Sequence, residues 1–157
     1  LKAALAAREN MLVIARTDSR DVYSFDEAVK RGILYRDSGA DVIFPEALEN
    51  IDEFRQFAMR VKAPLLANMT EFGKSPLLTV KDLGDIGYSL VIYPATGQRV
   101  ALGAVKKAFT NIRDNGSQIN SLSNMMDRSE IYDLIDYEKF AELDNRIAPK
   151  ITKKSLC

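Results

Sequence analysis

The 157-residue sequence contains no histidine and no tryptophan, and its single cysteine, Cys157, is the last residue. Without histidine the chain lacks the commonest general base and metal ligand. A Ser-His-Asp triad is excluded within it, and a zinc site lacks its usual ligands. One cysteine forms no internal disulfide, so a reducing compartment, the cytoplasm, is the expected setting. Neither sign of charge is in excess. The 22 Lys and Arg balance 22 Asp and Glu, which leaves no bulk field to draw nucleic acid or an anionic membrane. No apolar run approaches the ~18 residues of a membrane helix. Proline and glycine are few, at 5 and 8, which sets the chain apart from disordered and fibrous compositions. The opening, LKAALAARENMLVIAR, has no signal-peptide layout and no initiator methionine, and it reads as the interior of a longer protein.

What is present is a rhythm. Four short apolar runs, MLVIA (11–15), DVIFP (41–45), APLLA (63–67) and SLVIYP (89–94), are continuous rather than alternating. That is how strands buried on both faces read, as in a parallel sheet. Amphipathic stretches separate them. Residues 24–40 open on Ser24 with Glu27 three positions on, a capping-box pattern, and close at Gly39. Residues 50–61 place Ile51, Phe54, Phe57, Ala58 and Val61 at helical spacing. A shorter helix is predicted over 79–87 and a long one over 97–116, while residues 1–10 read as the tail of an earlier helix. Phe54, Phe57, Phe109 and Tyr132 are expected as packing residues. After Gly116 come a polar stretch, SQINSLSNMMD (117–127), one further predicted helix (128–147) and a basic end, KITKKSLC, expected to fray.

The order is βα repeated four times, with strands starting about 22–30 residues apart, as right-handed βα units require. Half of an eight-stranded barrel and a small open α/β sheet both fit. In either, function sits at the C-terminal ends of the strands, and polar groups collect there. Arg16 ends the first run, Glu46 follows the second, Asn68 and Thr70 follow the third, and Arg99 lies just beyond the fourth. A guanidinium fork at position 16 suits bidentate capture of a carboxylate, but a rim arginine paired with a neighbouring acid such as Glu46 fits equally well. Asn68 and Thr70 can cradle a carboxylate or simply make Asx and ST turns. Arg99 at a helix start opposes the macrodipole, a conflict that a bound polyanion would remove.

IARTDS (14–19), FPEA (44–47), PLLANMTEFGKSPL (64–77), YPATGQRVA (93–101) and DRSEIYDLIDY (127–137) together resemble the C-terminal half of the methylisocitrate lyases, members of the isocitrate lyase/phosphoenolpyruvate mutase superfamily. ANMTEFG is the most specific piece. The resemblance covers essentially the whole chain. It implies an α/β fold in which four βα units (1–116) form the C-terminal half of a (β/α)8 TIM barrel, followed by a linker and a C-terminal helical segment (117–157) exchanged between subunits of a homo-oligomer. It implies a magnesium-dependent carbon–carbon lyase of propionate breakdown, cleaving the tricarboxylate 2-methylisocitrate to pyruvate and succinate by a retro-Claisen step. Arg16, Glu46, Asn68, Met69, Thr70, Arg99 and Arg128 are the implied substrate-binding residues, with Glu71 and Phe72 bracing their loop. The family's metal-binding aspartates and its Lys-Lys-Cys-Gly-His loop belong to the N-terminal half and have no counterpart here, so no metal ligand and no catalytic acid is assigned to this chain. A phosphonopyruvate- or oxaloacetate-acting relative and a non-catalytic half-barrel remain the alternative readings.

Overall fold

The structure, a computed structural model, describes residues 1–154. Each expected strand is present. β1 (Ile14–Thr17) pairs in parallel with β2 (Val42–Pro45), and β3 (Leu66–Asn68) pairs in parallel with β4 (Leu90–Ile92). A single parallel bridge between Ile43 and Leu65, with Ile43 N–H donating to Pro64 O at 2.9 Å, joins the two pairs. The spatial order therefore follows the chain order.

The helices that precede and separate the strands are α1 (Lys2–Ala7), α2 (Ser19–Val22), α3 (Phe25–Asp37), α4 (Ile51–Val61) and α5 (Val80–Asp85). α2 was not expected; it is a single turn directly after β1. Local chemistry explains the starts of the others. Ser24 accepts from Glu27 N–H and Asn50 accepts from Glu53 N–H, while Thr79 and Asp82 make a full reciprocal box. Only half of the box expected at Ser24 forms, because the Glu27 carboxylate turns to Arg31 at 3.0 Å instead.

The sheet has two unlike faces. On one, Ala15, Ile43, Leu65 and Ala67 pack with Val29, Phe54, Phe57, Val61 and Leu83 in the main core. Burial of this kind contributes about 1.5–3 kcal/mol per large side chain. On the other, Val42, Phe44 and Leu66 form a small cluster flanked by Ile92. β2 is buried throughout, as its continuous apolar run predicts, but β1 alternates, and Ile14 and Leu90 remain 44% and 41% exposed. The expectation of two covered faces thus holds at the centre and fails at β1 and β4, each of which pairs on one side only among the described residues. Tyr88 is buried against Phe54, and its hydroxyl has no partner among the described residues; burial pushes that phenol well above its ordinary pKa.

α3 crosses α4 at Gly32. A Cβ there would meet Phe57 Cζ at 2.8 Å and Val61 Cγ2 at 3.0 Å, and both side chains are fully buried. Gly32→Ala is expected to lose about 1–2 kcal/mol, because overpacking outweighs the gain in helix propensity. Gly103 has open space where its Cβ would be, so Gly103→Ala is expected to gain about 0.5–1 kcal/mol. Urea unfolding midpoints moving in opposite directions for the two variants are the check.

The chain divides into two compact units, Leu1–Leu102 and a second from Gly103 onward. α6 (Thr96–Asn115) begins in the first and ends in the second at Gly116, whose φ is +65°. A 3-10 turn (Ile119–Asn124), α7 (Arg128–Leu134) and α8 (Tyr137–Lys154) complete the second unit. The single helix predicted over 128–147 is broken at Asp136, which takes φ +51°, and Tyr132 stacks on Tyr137 across the break at 4.3 Å. α8 continues through Lys154, so residues 150–154 are helical rather than frayed; 155–157, with Cys157, lie outside the described residues. Phe109, expected as a core or helix-packing residue, is 66% exposed, and α6 has no buried residue. No described helix is long and apolar enough to cross a membrane.

Candidate active site

Parallel strands in sequential order bring their C-terminal ends side by side, and the polar residues at those ends meet. The Glu46 main-chain N–H donates to Thr17 O at 3.0 Å, locking the exit of β2 to that of β1. From there a line of contacts crosses the rim. Arg16 Nη2 lies 3.5 Å from Glu46 Oε2, Asn68 Nδ2 donates to the same oxygen at 3.3 Å, and the Thr70 hydroxyl donates to Asn68 Oδ1 at 2.6 Å. Glu46 is therefore the hub of a constellation drawn from three strands. Its contact with Arg16 is the pairing anticipated for a rim arginine.

Asp18, not assigned from the sequence, holds Arg16 more firmly than Glu46 does. Arg16 Nε donates to Asp18 Oδ2 at 3.1 Å and Nη2 to Oδ1 at 2.7 Å, and the guanidinium carbon sits 5.0 Å from the Phe44 ring centroid. The hydrogen bond from Arg16 holds the Asp18 carboxyl below its usual range, and the same bond raises the Arg16 pKa. The signal was in the sequence: an Arg and an Asp two residues apart at a strand exit can close on one another. Behind them Thr17 and Ser19 are buried, their hydroxyls 2.7 Å apart.

Arg99 sits in the first turn of α6. The conflict with the helix dipole is relieved within the chain, by Glu71. Its carboxylate accepts from the Thr96 hydroxyl and from Arg99 Nη1 at 3.0 Å, and its carbonyl oxygen also accepts from Nη1. The Thr96 hydrogen bond is the largest cause holding the Glu71 carboxyl below its usual range. Phe72 also approaches Arg99, with its ring centroid 5.4 Å from the guanidinium carbon. Lys74 pairs with Asp21 at the opposite end of the loop. The bracing assigned to Glu71 and Phe72 is thus directed at Arg99, 28 residues away, a separation that leaves no local signal.

One of the other implied residues stands apart from this rim, and another belongs to the second unit. Met69 is withdrawn into the core, 2% exposed, with its sulfur accepting from Leu78 N–H and its own N–H committed to Ile92 O at 2.9 Å. Its apolar side chain gains more from that burial than from the rim, so it anchors the loop from beneath. Arg128 is the first residue of α7, in the second unit, behind an Asp127–Glu130 capping box.

The free hydrogen-bonding edges differ between the two rim arginines. Asp18 occupies the Nε–Nη2 side of Arg16, leaving Nη1. Glu71 engages only Nη1 of Arg99, leaving Nε and Nη2 without a hydrogen bond among the described residues. The latter is the side-on fork that takes a carboxylate in two parallel bonds. No group of three or more His, Cys, Asp or Glu among the described residues could hold a metal ion. The described residues do not make a magnesium site by themselves.

The sequence model of the phosphoenolpyruvate phosphomutase family matches residues 1–113. The 2-methylisocitrate lyase of Aeropyrum pernix is 48% identical over 148 residues, covering 94% of this chain and 48% of that protein. The 2-methylisocitrate lyase of Bacillus subtilis is 45% identical over 151 residues, covering 96% and 50%. The chain therefore spans about half the length of the curated relatives it matches. Among solved structures, a 2,3-dimethylmalate lyase superposes with a TM-score of 0.82 at 28% identity, over 93% of this chain and 52% of the other. A phosphonopyruvate hydrolase in complex with oxalate and Mg++ superposes with a TM-score of 0.78 at 31% identity, over 92% and 53%.

Proposed function

The chain belongs to the phosphoenolpyruvate phosphomutase family, and from that premise we propose that it forms the substrate-gripping, C-terminal half of a TIM-barrel lyase that cleaves 2-methylisocitrate to pyruvate and succinate. The observation that carries this reading is the rim line Arg16–Glu46–Asn68–Thr70, assembled from three consecutive strand ends. Identity of 48% to a 2-methylisocitrate lyase, against 31% to a phosphonopyruvate hydrolase, favours the tricarboxylate over the phosphonate.

The roles follow from the free edges. Arg99 takes one substrate carboxylate on its Nε–Nη2 fork. Arg16 adds one hydrogen bond through Nη1, and the Asn68–Thr70 pair orients a hydroxyl or a second carboxylate. Charge limits what this unit does alone. Around the rim, two cations (Arg16, Arg99) stand beside three carboxylates (Asp18, Glu46, Glu71), a net of 2 − 3 = −1. A tricarboxylate needs further positive charge. Arg128 and the remaining half of a full-length enzyme, which in this reading also holds magnesium, are its proposed sources. The same reading gives Phe140, Leu143 and Ile147, an exposed stripe on α8, to a neighbouring subunit.

The test is a substrate comparison on the full-length protein carrying this segment. Cleavage of 2-methylisocitrate at a kcat/KM at least about tenfold above that for phosphonopyruvate and oxaloacetate is expected. Preference for either of the others would replace the substrate, and turnover of none would leave a binding module.

A further inference from the structure

Phe72 is the feature of the site that packing does not explain. It is 96% exposed, the largest exposure among the described large hydrophobic residues, and it holds φ +61°, in the left-handed region that a phenylalanine rarely enters. Gly73 follows directly, so a turn that needed left-handed backbone had a glycine available one residue on. An exposed, strained aromatic gains nothing from the core. Its recorded partner is the Arg99 guanidinium, 5.4 Å from the ring centroid, within reach of a cation–π contact.

Glu71, beside it, has the same target. One residue binds Arg99 through both its side chain and its carbonyl, and its carboxylate is tied in turn to Thr96 on the same helix turn as Arg99. The two contacts are complementary. Glu71 takes the Nη1 corner and the guanidinium carbon lies over the Phe72 ring, and neither residue hydrogen-bonds the Nε–Nη2 edge.

We propose that Glu71 and Phe72 are positioning residues that hold the Arg99 guanidinium in one orientation with its Nε–Nη2 fork free for a substrate carboxylate. The strain at Phe72 is then part of the site: left-handed backbone at residue 72 lets consecutive side chains reach one guanidinium from two directions. Holding the fork before the ligand arrives removes the ordering cost of a long, rotamer-rich side chain from the binding step. The inference deepens the reading of Arg99 as a carboxylate ligand and rests on it for the second readout below, but not for the first.

The first readout is the order parameter of the Arg99 Nε–H in the full-length protein without ligand, from nitrogen relaxation. In the unsubstituted protein it is expected at the level of rigid backbone, about 0.8, and in Phe72→Leu and Glu71→Gln below about 0.6. Phe72→Tyr, which keeps the ring, is expected to restore it. The second readout is affinity for tricarballylate by calorimetry: a loss of about threefold for Phe72→Leu, about tenfold for Glu71→Gln and none for Phe72→Tyr. Phe72→Leu is expected to leave the melting temperature unchanged, since the side chain is exposed. An Arg99 that stays rigid in both variants overturns the proposal, as does a Phe72→Tyr protein no different from Phe72→Leu. If the unsubstituted protein binds no tricarballylate while Arg99 still loosens in the variants, positioning stands and the tricarboxylate reading falls.

Discussion

Arg99→Lys in the full-length protein is expected to lower kcat/KM for 2-methylisocitrate by about 10- to 150-fold, and Arg16→Lys by less than about tenfold. Both substitutions keep a positive charge and remove the planar fork. They differ in what the fork is doing. At position 99 the Nε–Nη2 edge carries no hydrogen bond among the described residues, so its loss removes two parallel charge-assisted bonds to the substrate, about 1.5–3 kcal/mol. At position 16 that edge already belongs to Asp18, and the single free nitrogen that remains is something a lysine ammonium can mimic. Neither variant should unfold the protein, because both side chains sit at the rim, 42% and 49% exposed. Steady-state kinetics and melting curves on the pair decide the matter. If Arg16→Lys proves the more damaging with stability intact, the assignment of the open fork is wrong. A fall in melting temperature with near-normal activity per folded molecule would make the affected arginine a structural ion-pair residue instead.

That contrast shows where sequence reasoning stopped. Position and chemistry were legible: each βα unit showed in its apolar run and amphipathic helix, and each strand end declared its polar residue. Those signals are local, and local hydrophobic periodicity is what a strand or helix needs to form. The orientation of a guanidinium is set by partners, and the partner of Arg99 comes from 28 residues away in another loop. The same limit explains Met69. A methionine between Asn68 and Thr70 reads as part of the polar loop, and only the fold reveals that one residue past β3 the chain turns its side chain inward, under Leu78. The break at Asp136 escaped for a related reason. Residues 128–147 keep helical periodicity across it, and a single aspartate with φ +51° needs no glycine or proline to announce it. The extent of the strands was overestimated because an apolar run measures what wants to be buried. Met11 and Leu12 belong to the first run, yet each is 72% exposed and outside β1.

Those exposed residues motivate the last expected result: a segment equivalent to the first half of the 2-methylisocitrate lyases should bind this chain and raise its melting temperature by about 10 °C or more. Among the described residues the sheet has two edges, on β1 and on β4, that pair with no further strand, and such edges recruit strands. Its second face carries apolar side chains from all four strands, Ile14 and Leu90 still 44% and 41% exposed beside the Val42–Phe44–Leu66 cluster. Edges and face together fit the half-barrel proposed above, and relatives twice as long supply the matching length. Closing such a surface buries area on the scale of an obligate interface, about 2,000 Å² or more, and even a fraction of that converts to several kcal/mol. For a domain of this size each kcal/mol moves the melting temperature by about 2–4 °C, which gives the expected shift. Alone, the chain should instead satisfy its edges with copies of itself and sediment as mixed oligomers at micromolar concentration. Mixed with the first half of the Bacillus subtilis relative, it should give one species of 1:1 composition. Sedimentation velocity and differential scanning calorimetry, run on the chain alone and on the mixture, measure both effects. A chain that is monomeric by itself and melts at the same temperature with or without the added half would show that its edges and open face are already content with water, and the half-barrel reading would go with them.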